Sequence, residues 1–226
     1  MNGGDSSPGN GTESANLASI VQYFINGTTT YGNTYDEYDF STFSVDSSLT
    51  SYADADLSTK LDSSSFLFMP DMETGFNVDT TDLPNSSRTI LGNWVNDGGV
   101  MMMTGTSGSK DADFLNAIFG WSLTSVADST TSLNTTNAAG TAFEGGPATL
   151  NTVDASDAIN SNGTANFTTI YGTDSSAHVA VINYGSGTVI YLGFDYYGTG
   201  ISGTGFTSES TQYGSDVTTG TQAGDD

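Results

Sequence analysis

The sequence FLFMPD at residues 66–71 and the sequence VMMM at residues 100–103 decide the fold class of this chain. Each begins with an uninterrupted apolar run of strand length, and the first run ends at Pro70, which cannot donate a hydrogen bond to a strand ladder. Strands buried on both faces, as in parallel sheets between helices, have this pattern. We therefore predict that the two runs are strands of an α/β domain.

Apolar residues at helical spacing occur before, between and after these strands, at residues 16–26, 85–96 and 111–119. The second of these segments is followed by Asp97-Gly98-Gly99, which is a signal for a helix C-terminus. The first carries five apolar residues that share one helical face: Leu17, Ile20, Val21, Phe24 and Ile25. The order of strands and helices predicts a three-layer α/β sandwich with a mainly parallel, flavodoxin-like sheet.

A hairpin is predicted near the C-terminus, because the apolar runs at residues 179–184 and 188–193 are joined by Gly185-Ser186-Gly187. Towards the N-terminus, residues 36–45 alternate between apolar and polar and predict a further strand. Residues 46–62 are mostly polar, which predicts a loop and a short helix.

The predicted α/β domain covers residues 16–197 and follows an N-terminal loop at residues 1–15, which are almost free of apolar side chains. Residues 121–176 are rich in Thr and Asn, and we predict that they form an insertion of strands and loops within the domain. Residues 198–226 are rich in Gly, Ser and Thr and predict a flexible C-terminal tail.

The charge balance limits the classes of partner. Three cations, Lys60, Arg88 and Lys110, stand against 26 acidic residues, for a net charge of −23. Nucleic-acid binding depends on Lys and Arg displacing counterions, and an anionic membrane surface repels such a chain. We therefore expect no nucleic-acid binding and no membrane insertion. Cations, neutral glycans and further copies of the chain are the expected partners.

The rest of the composition bears on compartment and chemistry. A surface rich in Thr, Ser and Asn with few Lys is typical of extracellular or cell-surface proteins, and an acidic cytosolic protein is the alternative. The chain has no cysteine, so disulfides, thiolate nucleophiles and Cys-ligated metals are excluded.

Five motifs in order carry a resemblance to a known family. They are FLFMPD (66–71), WVNDGG (94–99), VMMMTG (100–105), DFLNAIFGW (113–121) and GTVIYLGFD (187–195). Together they resemble the class I glutamine amidotransferase-like superfamily in its flavodoxin-like form, and in particular its non-catalytic relatives in large secreted bacterial proteins. The resemblance implies an α/β fold over residues 15–197.

The sequence differs from that family at the positions of the family's catalytic residues. The resemblance implies a cysteine on the turn after residues 100–103, but the turn reads Gly105-Thr106-Ser107-Gly108-Ser109. The family's later His–Glu pair is also missing, because the corresponding strand is followed by Phe194-Asp195-Tyr196. Ser107 lacks an evident base, since the sole histidine, His178, stands about 70 residues later. No catalytic residue is predicted.

Ligand sites in α/β sheets lie at the carboxyl ends of the strands. Asp71 ends the first predicted strand, and the turn after the second contains Gly105 and Ser107. We expect a ligand site, if one exists, among the residues at these strand ends: Asp71, Glu73, Gly105, Ser107 and Asp195. Two of them, Asp71 and Asp195, also allow a paired-carboxylate glycosidase as an alternative.

Two further sets of residues are candidates for modification or metal binding. Acidic residues close together in sequence can share Ca²⁺, the one cofactor considered, although solvated surface acidity is the simpler explanation for them: Asp36, Glu37, Asp39, Asp54 and Asp56. Six Asn-x-Ser/Thr sequons permit glycosylation, in a number that composition alone explains: Asn10, Asn26, Asn85, Asn134, Asn162 and Asn166.

The sequence favours a non-enzymatic extracellular or cell-surface structural domain, such as a subunit of a self-associating filament or layer. The alternative is a glycan-binding or glycan-processing module. One feature of the fold remains open, because no apolar run precedes residue 16 to form the first, central strand of a flavodoxin-like sheet. Three explanations of the missing strand are open. The given chain is part of a longer protein, or residues 36–45 pair directly with residues 66–69. The third is that a neighbouring subunit donates a strand from its Thr-rich segment at residues 206–222.

Overall fold

The computed structural model describes residues 44, 46, 49, 51–53, 55–72, 76–78, 82–105, 108–127, 129–150, 157–193, 199–202 and 205–208. Its helices are α1 (Leu57–Asp62), α2 (Asn85–Asn96), α3 (Lys110–Phe119) and α4 (Thr135–Ala138). Its strands are β1 (Phe66–Met69), β2 (Val100–Thr104), β3 (Thr124–Ala127), β4 (Thr131–Ser132), β5 (Thr149–Leu150), β6 (Asp157–Asn160), β7 (Phe167–Thr173), β8 (Ser176–Tyr184), β9 (Gly187–Leu192), β10 (Thr199–Ser202) and β11 (Gly205–Ser208).

The main sheet has the strand order β1-β2-β9-β8-β6-β3, and β7 also pairs with β8. Strands β1, β2 and β9 are parallel, with Phe68 opposite Met102 and Met102 opposite Ile190. The remaining pairs, β9–β8, β8–β7, β8–β6 and β6–β3, are antiparallel. The predicted α/β class is confirmed, and the sheet is a mixed one in which a parallel half continues into an antiparallel half.

One face of the parallel half is covered by helices. Buried residues of α1, α2 and α3 join one apolar cluster with alternate residues of the strands: Leu67, Met69, Met101, Met103, Val189 and Tyr191. We call this side of the strands the core face. A second cluster, which includes Ala138 of α4, Leu150, Ile170 and Val179, lies over the antiparallel half.

The helices and the hairpin begin and end near the predicted positions. Helix α2 covers the predicted residues 85–96. Helix α3 ends at Phe119 and is capped by Gly120, whose φ of 70° is the left-handed conformation that glycine adopts readily. In the β8–β9 hairpin, Gly185 has a φ of 59° and lies against the backbone of Asn96 at the end of α2. The close approach and the positive φ both require glycine there.

The structure adds detail to three other predictions. Residues 121–176 contain β3 to β7 with α4, and β3 and β6 extend the main sheet rather than forming a separate insertion. The segment predicted as a tail, 198–226, begins with an antiparallel hairpin of β10 and β11. The helix predicted at residues 16–26 lies outside the described residues, as do the loop at residues 1–15 and most of the strand predicted at 36–45.

The open question of the central strand concerns the side of β1 that faces away from β2. The described parallel strands form a continuous ladder, because Phe66 to Met69 are each in register with Val100 to Met103. Residues 206–208, part of the predicted donor segment, pair with β10 of the same chain. No helix among the described residues has the length and the apolar character needed to cross a membrane.

Candidate functional site

The C-terminal ends of the parallel strands lie at one edge of the sheet, because β1, β2 and β9 share a direction and a register. Asp71 follows β1, and Gly105 follows β2. The structure therefore places both predicted residues at the edge where ligand sites of α/β proteins are found. The other three predicted residues, Glu73, Ser107 and Asp195, lie outside the described part of the chain.

Tyr191, on β9, lies at this edge of the sheet, opposite Met103 of β2. Its side chain is fully buried, and its hydroxyl donates a hydrogen bond to the backbone carbonyl of Asp157 at 3.0 Å. Burial raises the pKa of Tyr191 well above its usual value, and the carboxylates of Asp111, Asp157 and Asp71 raise it further. The phenol is therefore a neutral donor, and the charges of three acidic side chains act on it.

Those three carboxyl groups are themselves buried, and two of them hold loops in place. The backbone N–H of Met72 donates to Asp111 Oδ1 at 2.6 Å, which ties the loop after β1 to the first turn of α3. The backbone N–H of Gly108 donates to Asp157 Oδ2 at 2.9 Å, and the Ser125 hydroxyl donates to the same oxygen. The carboxylates thus bind backbone donors of the surrounding loops.

Gly105 is required by the position of Tyr191. A Cβ atom on Gly105 would lie 2.3 Å from the Tyr191 hydroxyl oxygen and 2.7 Å from its ring carbon Cζ. The phenol therefore occupies the space beside the turn after β2. Asp71 and Gly105 are both linked to Tyr191, the first through charge and the second through contact.

Tyr52 is a second fully buried tyrosine near the same edge. Its ring packs against Phe76 and Phe114, with ring centroids 5.8 and 5.2 Å away. Its pKa is raised by burial and, to a lesser extent, by Asp111. Among the described residues, its hydroxyl is the buried side-chain polar atom that makes no hydrogen bond. The two buried tyrosines therefore differ, because the Tyr191 hydroxyl has a hydrogen-bond partner and the Tyr52 hydroxyl has none.

Sequence reasoning missed three residues of this group. The sequence did contain a signal for Asp111. This residue begins a predicted helix directly after the turn that follows β2, and the helix dipole stabilises an acidic side chain at that position. Tyr191 is one of several apolar-run residues, and its burial beside carboxylates leaves no mark in the sequence. Asp157 lies in the Thr- and Asn-rich segment and reaches the site only through the pairing of β6.

His178 lies within β8, and it is almost completely buried. Its Nε2 accepts a hydrogen bond from the Ser129 backbone N–H at 3.4 Å. This bond gives Nε2 of the imidazole a backbone partner.

The acidic residues proposed for Ca²⁺ are mostly outside the described residues, namely Asp36, Glu37, Asp39 and Asp54. Asp56 is described, is exposed, and immediately precedes α1. Across the described ranges, no group of three or more His, Asp or Glu side chains is arranged to hold a metal ion.

The sequons differ in accessibility. Asn85 and Asn166 are exposed, while the amide of Asn162 donates to the Ser122 carbonyl and the Thr124 hydroxyl. Asn134 is half-buried and caps α4 by accepting from the Asn137 N–H. Glycosylation is therefore most easily accommodated at Asn85 and Asn166 among the described sequons. Asn10 and Asn26 lie outside the described residues.

Comparison with known proteins adds a set of distant structures. No family model matches the chain, and no curated protein matches it. A β-galactosidase from Bacillus circulans sp. alkalophilus is similar over 57% of this chain and 20% of its own, with 13% identity and a TM-score of 0.36. A GH42 β-galactosidase from G. stearothermophilus is similar over 70% of this chain and 21% of its own, with 14% identity and a TM-score of 0.35.

A β-galactosidase from Rahnella sp. R3 is similar over 74% of this chain and 23% of its own, with 17% identity and a TM-score of 0.35. The region of similarity is thus about a fifth of each of these longer proteins.

Proposed function

We propose that this chain is a non-catalytic α/β domain, related to the class I glutamine amidotransferase-like superfamily, with a structural or assembly role in an extracellular or cell-surface protein. One observation carries the proposal. At the strand ends, Asp111 and Asp157 bind backbone N–H groups, and Tyr191 fills the space beside Gly105. A strand edge closed by its own side chains supports a structural role more than a catalytic one.

The surface charge supports the proposed setting. A net charge of −23 with three cations keeps copies of the chain apart at low ionic strength. Screening by salt or bridging by divalent cations removes that repulsion, as in extracellular fluids and sea water. Association of the domain into a filament or layer is therefore expected to depend on salt or Ca²⁺.

Two measurements test this proposal. The purified chain is incubated with glutamine, aryl esters and aryl glycosides, and we expect no turnover of any of them. Turnover that is abolished by Ser107→Ala or Asp71→Asn would overturn the non-catalytic assignment. Sedimentation and electron microscopy with and without NaCl and Ca²⁺ then test assembly, and a monomer under every condition would remove the filament or layer from the proposal.

A glycan-binding or glycan-processing module is the second candidate function. It is favoured by Asp71, Asp111 and Asp157, three buried acids whose charges act on the Tyr191 phenol at the edge where α/β proteins bind ligands. Carboxylates and phenols are good hydrogen-bond partners for sugar hydroxyls. In this reading, glycan binding requires these buried acids to become accessible.

Calorimetric titration with neutral oligosaccharides tests the second candidate. Glycan binding that is weakened by Asp71→Asn, and not by the exposed control Asp97→Asn, would favour this function over the structural one. The two candidates are distinguishable, because the structural proposal expects neither binding nor an effect of Asp71→Asn on assembly.

A further inference from the structure

Two asparagines just before β7 share an unusual backbone conformation but are followed by very different residues. Asn162 has a φ of 45° and Asn166 has a φ of 59°, so both adopt the left-handed conformation, which asparagine tolerates better than most residues. Both are exposed. Asn162 precedes Gly163, whereas Asn166 precedes the bulky Phe167. This difference bears on the chemical stability of the two side-chain amides.

An asparagine amide is most easily lost where glycine follows, because glycine has no Cβ to hinder its own backbone nitrogen. At Asn162, the Gly163 nitrogen loses its proton and attacks Cγ. A bond forms between that nitrogen and Cγ, the Cγ–Nδ2 bond breaks, and Nδ2 leaves as ammonia, so that in total the Gly163 amide proton leaves with it. Water then opens the cyclic imide and leaves aspartate or isoaspartate.

The turn between β6 and β7 leaves the attacking nitrogen accessible. Gly163 is exposed, and a Cβ built on it would meet no heavy atom within 4 Å. Its backbone N–H donates to the Ser161 hydroxyl oxygen at 3.4 Å, which is long for a hydrogen bond. Base from the solvent therefore reaches this amide, and its proton is weakly held.

The leaving group, in contrast, is held by the fold. Nδ2 of Asn162 donates to the Ser122 carbonyl at 2.8 Å and to the Thr124 hydroxyl at 3.1 Å. Thr124 is the first residue of β3, which is the terminal strand of the main sheet. Both hydrogen bonds must break before Nδ2 leaves as ammonia. The Asn162 amide thus ties the β6–β7 turn to the edge strand, and this tie opposes the reaction.

We propose that Asn162 is a modification site, at which the amide slowly deamidates to aspartate or isoaspartate and the two hydrogen bonds to the β3 segment limit the rate. The product cannot restore the tie, because a carboxylate accepts hydrogen bonds and does not donate them. The Thr124 hydroxyl can still donate to the new carboxylate, but the Ser122 carbonyl, another acceptor, cannot. Deamidation therefore loosens the edge strand.

Peptide mapping by mass spectrometry tests the site. The chain is incubated at mildly alkaline pH, folded or in guanidinium chloride, and the peptide that contains residue 162 is followed, since Asn2, Asn10 and Asn26 also precede glycine. We expect deamidation of Asn162 in both states, about tenfold slower in the folded chain because two hydrogen bonds restrain the amide. An unreactive Asn162 in guanidinium chloride, or a rate at Asn166 equal to that at Asn162, would overturn the proposed site.

A hydroxyl deletion tests the restraint in the folded chain. Thr124→Val removes one acceptor of Nδ2 and keeps the branched shape of the side chain, so deamidation of Asn162 should be about two- to tenfold faster. The matched control is Thr89→Val, which removes an exposed hydroxyl that donates to the Asn85 carbonyl on α2. The control should leave the rate unchanged. Equal rates in the two variants would overturn the role of the hydrogen bonds to β3.

The consequence for the edge strand is tested with the product itself. Asn162→Asp places the carboxylate in the turn, and hydrogen exchange of the amides of β3 should become about two- to tenfold faster, as expected for the loss of a hydrogen bond. Asn166→Asp adds the same charge at the same backbone conformation and should leave exchange in β3 unchanged. Unchanged exchange in Asn162→Asp, or an equal increase in both variants, would overturn the loosening of the edge strand.

Discussion

The two faces of the parallel strands differ although the same short segments form both. On the core face, Met101 and Met103 are fully buried under α1, α2 and α3. On the opposite side of the same strands, which we call the outer face, Met102 is half-buried and Phe66 is 43% exposed. Three consecutive methionines thus occupy two environments, and the packing of helices, not residue type, decides which residues belong to the main core.

The largest expected difference between the faces comes from shortening their methionines. Met103→Ala removes a side chain that is 0% exposed, and we expect it to lower the free energy of unfolding by about 2–5 kcal/mol. Met102→Ala, on the adjacent residue, should cost about 1 kcal/mol, because its side chain keeps part of its contact with water. Urea unfolding of both variants measures the difference. Equal losses would show that the outer face is packed as tightly as the core face.

Gly105 tests how rigid the end of the core face is. Gly105→Ala places a Cβ 2.3 Å from the hydroxyl of Tyr191, which is buried and hydrogen-bonded and therefore cannot move aside freely. We expect a loss of about 1–3 kcal/mol in unfolding free energy.

The matched control for Gly105 is Gly92→Ala in α2. Its Cβ would meet the Ile118 backbone oxygen at an ordinary 3.5 Å, so the variant should be neutral or more stable by about 0.5 kcal/mol. A Gly105→Ala chain as stable as the Gly92→Ala chain would mean that Tyr191 is loosely held.

Alkaline pH tests the core face through its two buried tyrosines. The pKa values of Tyr191 and Tyr52 are raised above their ordinary value of 10.0 by burial first and by nearby carboxylates second. Above pH 10 the unfolded chain loses these protons while the folded chain keeps them, so stability is full below pH 10 and falls as the pH rises. Each tyrosine contributes a slope of up to about 1.4 kcal/mol per pH unit.

Urea unfolding between pH 9 and pH 11.5 measures this slope. A chain with both Tyr191→Phe and Tyr52→Phe has lost the two groups and should show a smaller dependence on pH. If the slope of the double variant matches that of the native chain, other groups are responsible.

The single tyrosine variants at neutral pH separate a satisfied hydroxyl from an unsatisfied one. Tyr191→Phe leaves the Asp157 carbonyl without its donor and should cost about 1 kcal/mol. Tyr52→Phe removes a buried hydroxyl without a hydrogen bond and should leave stability unchanged or raise it slightly. Thermal unfolding of the two proteins decides, and a larger loss for Tyr52→Phe would contradict the assignment.

The smallest expected effect is that of salt on the difference between the faces. NaCl screens repulsion among 26 acidic residues, and the melting temperature of the native chain should rise by a few degrees. The separation between Met103→Ala and Met102→Ala should stay constant, since both remove apolar contacts. A separation that changes with salt would indicate an electrostatic contribution to the difference between the faces.

Local patterns predicted the elements of this fold better than the arrangement of its site. The apolar runs at β1, β2 and β9 and the helical spacing in α2 and α3 are confirmed, because each depends on neighbours a few residues apart. Asp71 and Gly105 were predicted from their position at strand ends, and the structure places both of them there. Asp157 was not, since its contact with Gly108 joins residues 49 positions apart.

By itself the sequence determined the α/β class, the hairpin around Gly185, the strong acidity and the exclusion of cysteine chemistry, because composition and short-range periodicity express these properties directly. Only the tertiary structure decided which two of the three consecutive methionines are buried, why Gly105 lacks a side chain, and which carboxylates act on Tyr191. The physical reason is that burial and close contact depend on segments that meet in space, and a strand pattern that is apolar on both faces is compatible with either face being the core.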